Sequence, residues 1–226
     1  MKNGETREQS EVAVFSLLEQ GLAELDVRCT GGQLDQLLDF VFLLDHWASR
    51  INLTGHDGPI EMATRLILDA AALSARMPEL AESESLADLG SGAGLPGIPV
   101  AILHPHLRVY LVESRLKRNH FQKEARRRLG LRQVTPVLGR SDEVAQTPCD
   151  VVVAQAMTQP EVALELMSQW SHPGSLLVLP ASDSASPPES PEGVGAVSLR
   201  EYRVPHVGTS RKLWVARIDS DDSHPR

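Results

Sequence analysis

The sequence predicts an α/β fold: a Rossmann-like, mostly parallel seven-stranded sheet with helices on both faces, preceded by an N-terminal helical cap. Three observations predict it. The first 80 residues carry only helix-period apolar patterns. From Leu86 onward, short apolar runs alternate with helical ones, as parallel strands joined by crossovers require. Between the first of those runs and its helix lies a glycine-rich turn, Asp88-Leu89-Gly90-Ser91-Gly92-Ala93-Gly94-Leu95-Pro96-Gly97.

In the cap, Glu11 to Leu25 places Val12, Phe15, Leu18 and Leu22 near one face. Gln33 to Trp47 does the same with Leu34, Leu37, Leu38, Val41 and Leu44. Ile60 to Met77 is a third helix, after the turn-rich stretch Ile51 to Pro59. Strand one is Leu86–Leu89, and a helix runs from Leu95 to Leu103. Val109–Val112 is strand two, Leu116–Leu129 a helix, Val134–Leu138 strand three and Val151–Ala154 strand four. Pro160 opens a helix to Trp170, since a proline is tolerated in a first turn. Ser175–Leu179 is strand five. Pro180 to Glu192 is too polar and proline-rich to pack and reads as a mobile loop. Val194–Val204 and Arg211–Ile218 form a closing antiparallel pair. The boundaries are a cap over 1–80, a ligand-binding domain over 81–219 and a frayed tail over 220–226.

The glycine turn indicates what the fold holds. A helix N-terminus follows it, with N–H groups lacking intrahelical partners. A dinucleotide would use such a loop, and an NAD-dependent oxidoreductase is the competing enzyme class. Asp88 distinguishes the two, because a carboxylate at the tip of the first strand suits the sulfonium and ammonium of S-adenosylmethionine and repels a diphosphate. Ligands of doubly wound sheets cross the carboxyl ends of the strands where strand order reverses. Glu113, ending strand two about 20 residues past the glycines, is therefore placed to accept ribose hydroxyls. Ser141 and Asp142 follow strand three and Gln155 follows strand four, giving a cofactor set of Asp88, Gly90, Ser91, Gly92, Gly94, Glu113, Ser141, Asp142 and Gln155.

Composition limits the alternatives. No apolar run approaches the roughly 20 residues that span a bilayer, and Met1 to Ser10 has no apolar signal core. Cys29 and Cys149 provide neither a disulfide framework nor metal-ligand spacing, so no metal is expected and the expected location is cytoplasmic. Cys149 reads as a small core residue, and His104 and His106 as surface residues of a proline-containing loop. The net charge of −8 conceals a basic focus: Arg115 to Arg132 holds eight Lys or Arg against the single acid Glu124. Lys117, Arg118, Arg126 and Arg127 are candidates for phosphate contact, against the plainer reading of a solvated helix face.

Several further motifs occur in order: Trp47-Ala48-Ser49-Arg50-Ile51-Asn52-Leu53-Thr54, Arg65-Leu66-Ile67-Leu68-Asp69, the loop from Asp88 through Leu95-Pro96-Gly97-Ile98-Pro99, Glu113-Ser114 with Lys117-Arg118, Arg140 with Asp142-Glu143, and Arg211-Lys212-Leu213. On these the chain resembles the bacterial small-subunit (16S) ribosomal RNA guanine-N7 methyltransferases, the glucose-inhibited division protein B family, from about Phe40 to Ile218. The resemblance implies a class I S-adenosylmethionine-dependent methyltransferase fold. It also implies methylation of a guanine in 16S ribosomal RNA or the small subunit, with cofactor contacts at Gly90, Leu95, Glu113, Ser141 and Asp142. No membrane partner is expected, and a monomer is.

Four departures from the family pattern stand out. Gln155-Ala156 replaces Arg-Ala, Leu179-Pro180-Ala181 replaces a Lys-Gly step, Leu66 replaces a histidine and Ala70 a serine. Glutamine cannot supply the charge with which arginine grips an oxyanion. Two readings stay open: a divergent enzyme in which Arg65, Arg140 or Arg211 takes up the load, or a cofactor-binding relative with weakened activity that acts as an RNA-binding module.

Overall fold

The computed structural model describes residues 7–155 and 158–220. The polar start of the chain, Ala156 of the divergent step and the tail from 221 lie outside them. The cap comprises α1 (Arg7–Glu24), α2 (Gly31–Ala48) and a third helical segment. α2 begins two residues earlier than its apolar pattern suggests, because Thr30 caps it. Thr30 Oγ1 accepts from Gln33 N at 3.2 Å and Gln33 Oε1 accepts from Thr30 N at 2.8 Å, a reciprocal capping box.

The third segment departs from the single helix expected over Ile60–Met77. It runs as α3 (Pro59–Met62), a π-helical turn (Ala63–Ile67) and α4 (Leu68–Ala75), then a 3₁₀ turn, Pro78–Ala81. Thr64 Oγ1 donates to the Ile60 carbonyl at 2.9 Å within this stretch, side-chain competition of the kind that loosens a regular helix.

The remainder follows as β1 (Ser85–Leu89), α5 (Gly97–Leu103), β2 (Arg108–Glu113), α6 (Leu116–Arg128), β3 (Val134–Leu138), β4 (Cys149–Ala154), α7 (Pro160–Ser168), β5 (Ser171–Ser182), β6 (Ser198–Arg203) and β7 (Ser210–Arg217). The strand order is β3-β2-β1-β4-β5-β7-β6. β1 to β5 pair in parallel, and β7 lies antiparallel between β5 and β6. Strand order reverses between β1 and β4, which places the ligand crevice at their carboxyl ends.

Two boundaries near the C-terminus differ from the sequence reading. β5 continues through Pro180 to Ser182, into the stretch expected as loop. Val153 of β4 pairs with Val178 and β4 ends one residue later, so from Pro180 on β5 has only β7 beside it. A residue lacking N–H is tolerated on such an open edge. The closing strand expected from Val194 is shorter, with Val194 making only an isolated bridge to Ile218.

Strand alternation separates two cores. Leu86, Val151, Val153, Leu176, Val178, Leu213 and Val215 join one cluster with Leu18, Leu37 and Phe40 of the cap. Ala87, Val152, Ala154, Leu177, Leu179 and Trp214 join the other, with Leu164 and Met167 of α7. The cap is thus one wall of the main core, and the sequence boundary at residue 80 runs through shared packing. Phe121 of α6 ties it further, its ring lying 6.2 Å from Phe40 and 5.7 Å from Trp47. Among the described residues no helix is long and apolar enough to cross a membrane.

Candidate active site

The glycine loop is fixed before any ligand arrives. Ser91 N donates to the Val112 carbonyl, and Gly94 N and Leu95 N both donate to the Ser91 carbonyl, at 3.0, 2.7 and 3.0 Å. Gly92 has φ 55°, in the left-handed region that a side chain disfavours. A Cβ there would approach only Arg118 Nη1 and the Gly90 carbonyl, at 3.8 and 3.9 Å, so the protein leaves room above it. Gly97 is required for the opposite reason: a Cβ would come within 2.4 Å of Leu111 and 2.8 Å of Asp88 Oδ2.

Glu113, at the tip of β2, is buried and faces this loop. Its Oε2 accepts from Gly92 N at 3.0 Å and its Oε1 from Arg115 N at 2.7 Å, with Arg118 Nη1 3.8 Å away. Two carboxylate oxygens offer about four acceptor sites; Ser114 Oγ donates weakly to Oε1 at 3.5 Å, so capacity remains for a ribose hydroxyl. The arrangement also weighs against a dinucleotide, because the Gly92 N–H that would cradle a diphosphate is spent on a carboxylate.

Asp88 is fully buried beneath the loop, where Oδ2 accepts from Gly97 N at 2.8 Å and Oδ1 is enclosed without a partner. It therefore shapes the loop and the start of α5, and its carboxylate is enclosed by the protein. Asp88 pairs with Leu111 and Val153 inside the sheet, one residue before the end of β1. Burial pushes its carboxyl well above the usual range. A raised carboxyl binds its proton more tightly folded than unfolded, so its stabilising contribution is full below about pH 4 and is lost as pH rises through the folded value. Asp88→Asn is expected to stabilise the fold at pH 8 relative to the parent, with the difference shrinking toward pH 4. Denaturant unfolding of both proteins across that range checks it, and a pH-independent difference would contradict the assignment.

Ser91 is likewise internal. Its hydroxyl donates to the Val112 carbonyl at 3.2 Å and accepts from Gln122 Nε2 at 2.9 Å. Gln122, which the sequence reading overlooked, also donates to the Gly92 carbonyl at 2.9 Å. Glu113 and Gln122 thus hold Gly92 by its N–H and its C=O. The signal for Gln122 was a neutral side chain next to Phe121 on the buried face of an otherwise charged helix. Leu116 and Leu138 were overlooked too. They lie beside Glu113, one three residues on and the other paired with it across the ladder, at 53% and 43% exposure. Exposed apolar surface there suits a planar base.

The other expected residues divide. Gly94 packs on Ile98 and Leu95 against the main core. Ser141 is buried, its carbonyl accepting from Trp170 Nε1 at 2.9 Å. Asp142 is bridged by Arg140 at 2.9 Å, which lowers its carboxyl. Arg140 also meets Glu143 at 3.1 Å, so its charge is spent on two acids. Arg65 pairs with Glu61 at 3.2 Å in the cap, and Arg211 approaches Asp69 at 3.7 Å. Arg140 follows β3 while Arg211 is on β7, five strand spacings or about 24 Å apart. Arg140 and Arg211 therefore do not serve one catalytic centre.

Cys149 is the buried first residue of β4, and burial pushes its thiol up to about 12, so it is a core residue and no thiolate nucleophile. His104, expected at the surface, is half-buried, its Nε2 2.7 Å from Ser74 Oγ of α4.

Residues 33–213 match the family described as rRNA small subunit methyltransferase G (GidB). The chain belongs to that family. A relative from Chromohalobacter salexigens, named ribosomal RNA small subunit methyltransferase G, is 34% identical over 198 residues, covering 87% of this chain and 93% of the relative. One of the same name from Alteromonas mediterranea is 36% identical over 158 residues, covering 70% and 71%. Among solved structures, the Escherichia coli protein yhhF, assigned as a methyltransferase, superposes with TM-score 0.52 at 14% identity, covering 69% of this chain and 87% of that one. The Haemophilus influenzae protein HI0767, assigned as a methylase, gives 0.51 at 14%, covering 68% and 99%. At these identities the structures bear on the fold alone. The family's cofactor fits the residues present: space over Gly92, spare acceptor capacity at Glu113, and apolar surface at Leu116 and Leu138.

Proposed function

We propose that this chain transfers the methyl group of S-adenosylmethionine to N7 of a guanine in 16S ribosomal RNA, acting in the cytoplasm as a monomer on RNA or the small subunit. The observation that carries the cofactor half is the Glu113–Gly92 hydrogen bond, which occupies a loop N–H that a diphosphate would use and sets a carboxylate beside the loop for a ribose. Family membership carries the acceptor half. The bound cofactor supplies an electrophilic methyl group. The protein's task is to bind, orient and dry the reacting pair.

Guanine N7 presents an in-plane lone pair, so no proton need leave before attack and no strong base is required. Rate then comes from alignment in a water-poor site. Glu113 fixes the ribose end, while Gln122 and Ser91 keep the Gly92 peptide from rotating. The losses at Gln155 and Pro180 remove charge without removing any group that this mechanism uses as a base. They support the second reading, a cofactor-loaded RNA-binding module, only if turnover is absent. Deleting the gene and probing 16S RNA for a missing 7-methylguanine, then restoring it with this chain, tests the proposal. Failure of restoration despite S-adenosylhomocysteine binding would favour the module.

RNA contact is assigned to the outer face of α6, with one revision. Arg127 and Arg128 both grip Glu124, at 2.8 and 2.7 Å, so their charge is largely answered within the helix. Lys117, Lys123 and Arg126 are exposed and have no ion-pair partner among the described residues. Arg118, half-buried beside Glu113, faces the cofactor loop and is set apart from that group. Reversing Lys117 and Arg126 together to Glu is expected to weaken RNA binding at least tenfold and to flatten the log–log salt dependence by about two. S-adenosylhomocysteine affinity should stay within twofold. Salt titrations of RNA binding, with calorimetry of the cofactor product, check both.

A further inference from the structure

Arg211 lies where the cap meets the carboxyl edge of the sheet. Val153, Val178, Leu213 and Val215 face the cap, so alternation places Asp88, Gln155, Pro180 and Arg211 on that same side. The register staggers them: Asp88 pairs with Val153, Val153 with Val178, Pro180 with Leu213 and Ser182 with Arg211. This row thus runs outward from the glycine loop past the end of β4, and Arg211 is its cation.

The guanidinium is held from behind and left open in front. Asp69 of α4 is buried, and its Oδ1 accepts from Tyr202 Oη at 2.8 Å. Its Oδ2 lies 3.7 Å from Arg211 Nη2, too long for the bidentate pairing that a structural Arg–Asp bridge adopts. Arg211 Nε is enclosed without an acceptor, while the side chain as a whole is 36% exposed. Of five N–H donors, almost none is spent. The neighbouring cations are engaged elsewhere: Arg65 and His56 on Glu61, each at 3.2 Å, and Lys212 on the opposite face against Trp214 and the Ala185 carbonyl. The π-turn over Ala63–Ile67 lies just before Asp69. One extra residue in a turn rotates all that follow by about 100°, which sets Asp69 toward β6 and β7, and such insertions are frequent at functional sites.

We propose that Arg211 grips a phosphodiester of the substrate strand beside the target guanine, aimed by the positioning residues Asp69 and Tyr202. The proposal rests on the RNA-methyltransferase reading. An oxyanion is the ligand class because the unspent groups are all donors and carry charge. Substrate, and not the cofactor's carboxylate, is the source because β7 lies three strand spacings, about 14 Å, from the glycine loop on β1.

The test compares the parent with Arg211→Gln, Arg211→Lys, Asp69→Asn and Tyr202→Phe, using naked 16S RNA and intact small subunits as substrates. Methyl incorporation, salt-dependent RNA binding and S-adenosylhomocysteine affinity are read for each variant. Arg211→Gln should raise KM for RNA at least tenfold and reduce the salt slope by about one, with S-adenosylhomocysteine affinity within twofold. Arg211→Lys should restore the slope. Asp69→Asn and Tyr202→Phe should raise KM three- to tenfold while leaving kcat at saturating RNA within twofold. An active parent whose folded Arg211→Gln form keeps its KM and slope overturns this proposal alone. Loss of S-adenosylhomocysteine binding in that variant overturns it in favour of a cofactor contact. A parent that binds no RNA overturns both this proposal and the function on which it rests. Should Arg211→Gln unfold, Arg211→Lys with an unrestored slope is equally decisive against it.

Discussion

Gly92→Asp is expected to reduce S-adenosylmethionine affinity by more than 100-fold, beyond detection in calorimetry. Three effects act in one direction. A non-glycine residue held at φ 55° costs about 1–2 kcal/mol, somewhat less for aspartate than for alanine. The new side chain would occupy the open space above the loop, and its charge would sit beside Glu113. Arg118 would partly answer that charge, since its Nη1 lies 3.8 Å from the Cβ position, but only by leaving Glu113. A hundredfold loss corresponds to about 2.7 kcal/mol, within the reach of backbone strain and lost volume together. Gly92→Ala separates them, because it keeps the strain and adds almost no bulk. A smaller loss, near tenfold, is expected there. Retention of parental affinity in Gly92→Asp would show that the cofactor does not lie over this loop.

Glu113→Ala is expected to be of similar size. It removes the acceptor for a ribose diol, where hydrogen bonds to a charged group contribute about 1.5–3 kcal/mol each. It also orphans Gly92 N–H and Arg115 N–H and leaves Arg118 without its carboxylate. Affinity should fall 100-fold or more, while Glu113→Gln, which keeps one acceptor oxygen, should fall less. S-adenosylhomocysteine calorimetry with thermal melts of the free proteins distinguishes lost contact from lost fold. Equal affinity in Glu113→Ala would remove the ribose assignment.

The two variants probe the part of the site that the primary structure revealed best. The glycine loop and the end of β2 were legible because glycine spacing and strand ends are local features; that Gly92 N donates to Glu113 is visible only in the structure. Asp88 lies where the sequence puts it, one residue before the end of β1, but its complete burial depends on tertiary packing that periodicity does not resolve. Gln122 was hidden because it acts through tertiary packing, as a neutral amide in a helix crowded with arginines. The cap's third segment reads as one long helix because a π-turn leaves the apolar pattern almost intact while shifting its phase. Arg65, Arg140 and Arg211 were alternatives that charge alone could not rank, and only strand order shows that Arg140 and Arg211 stand far apart.

The shared packing of Phe40, Trp47 and Phe121 has a consequence for how the molecule can change over evolutionary time. Because the helical layer closes the same interior that the sheet closes from below, its residues are constrained by oil-like contacts before any demand from RNA arises. Substitution is therefore tolerated most readily on its outer, water-facing side.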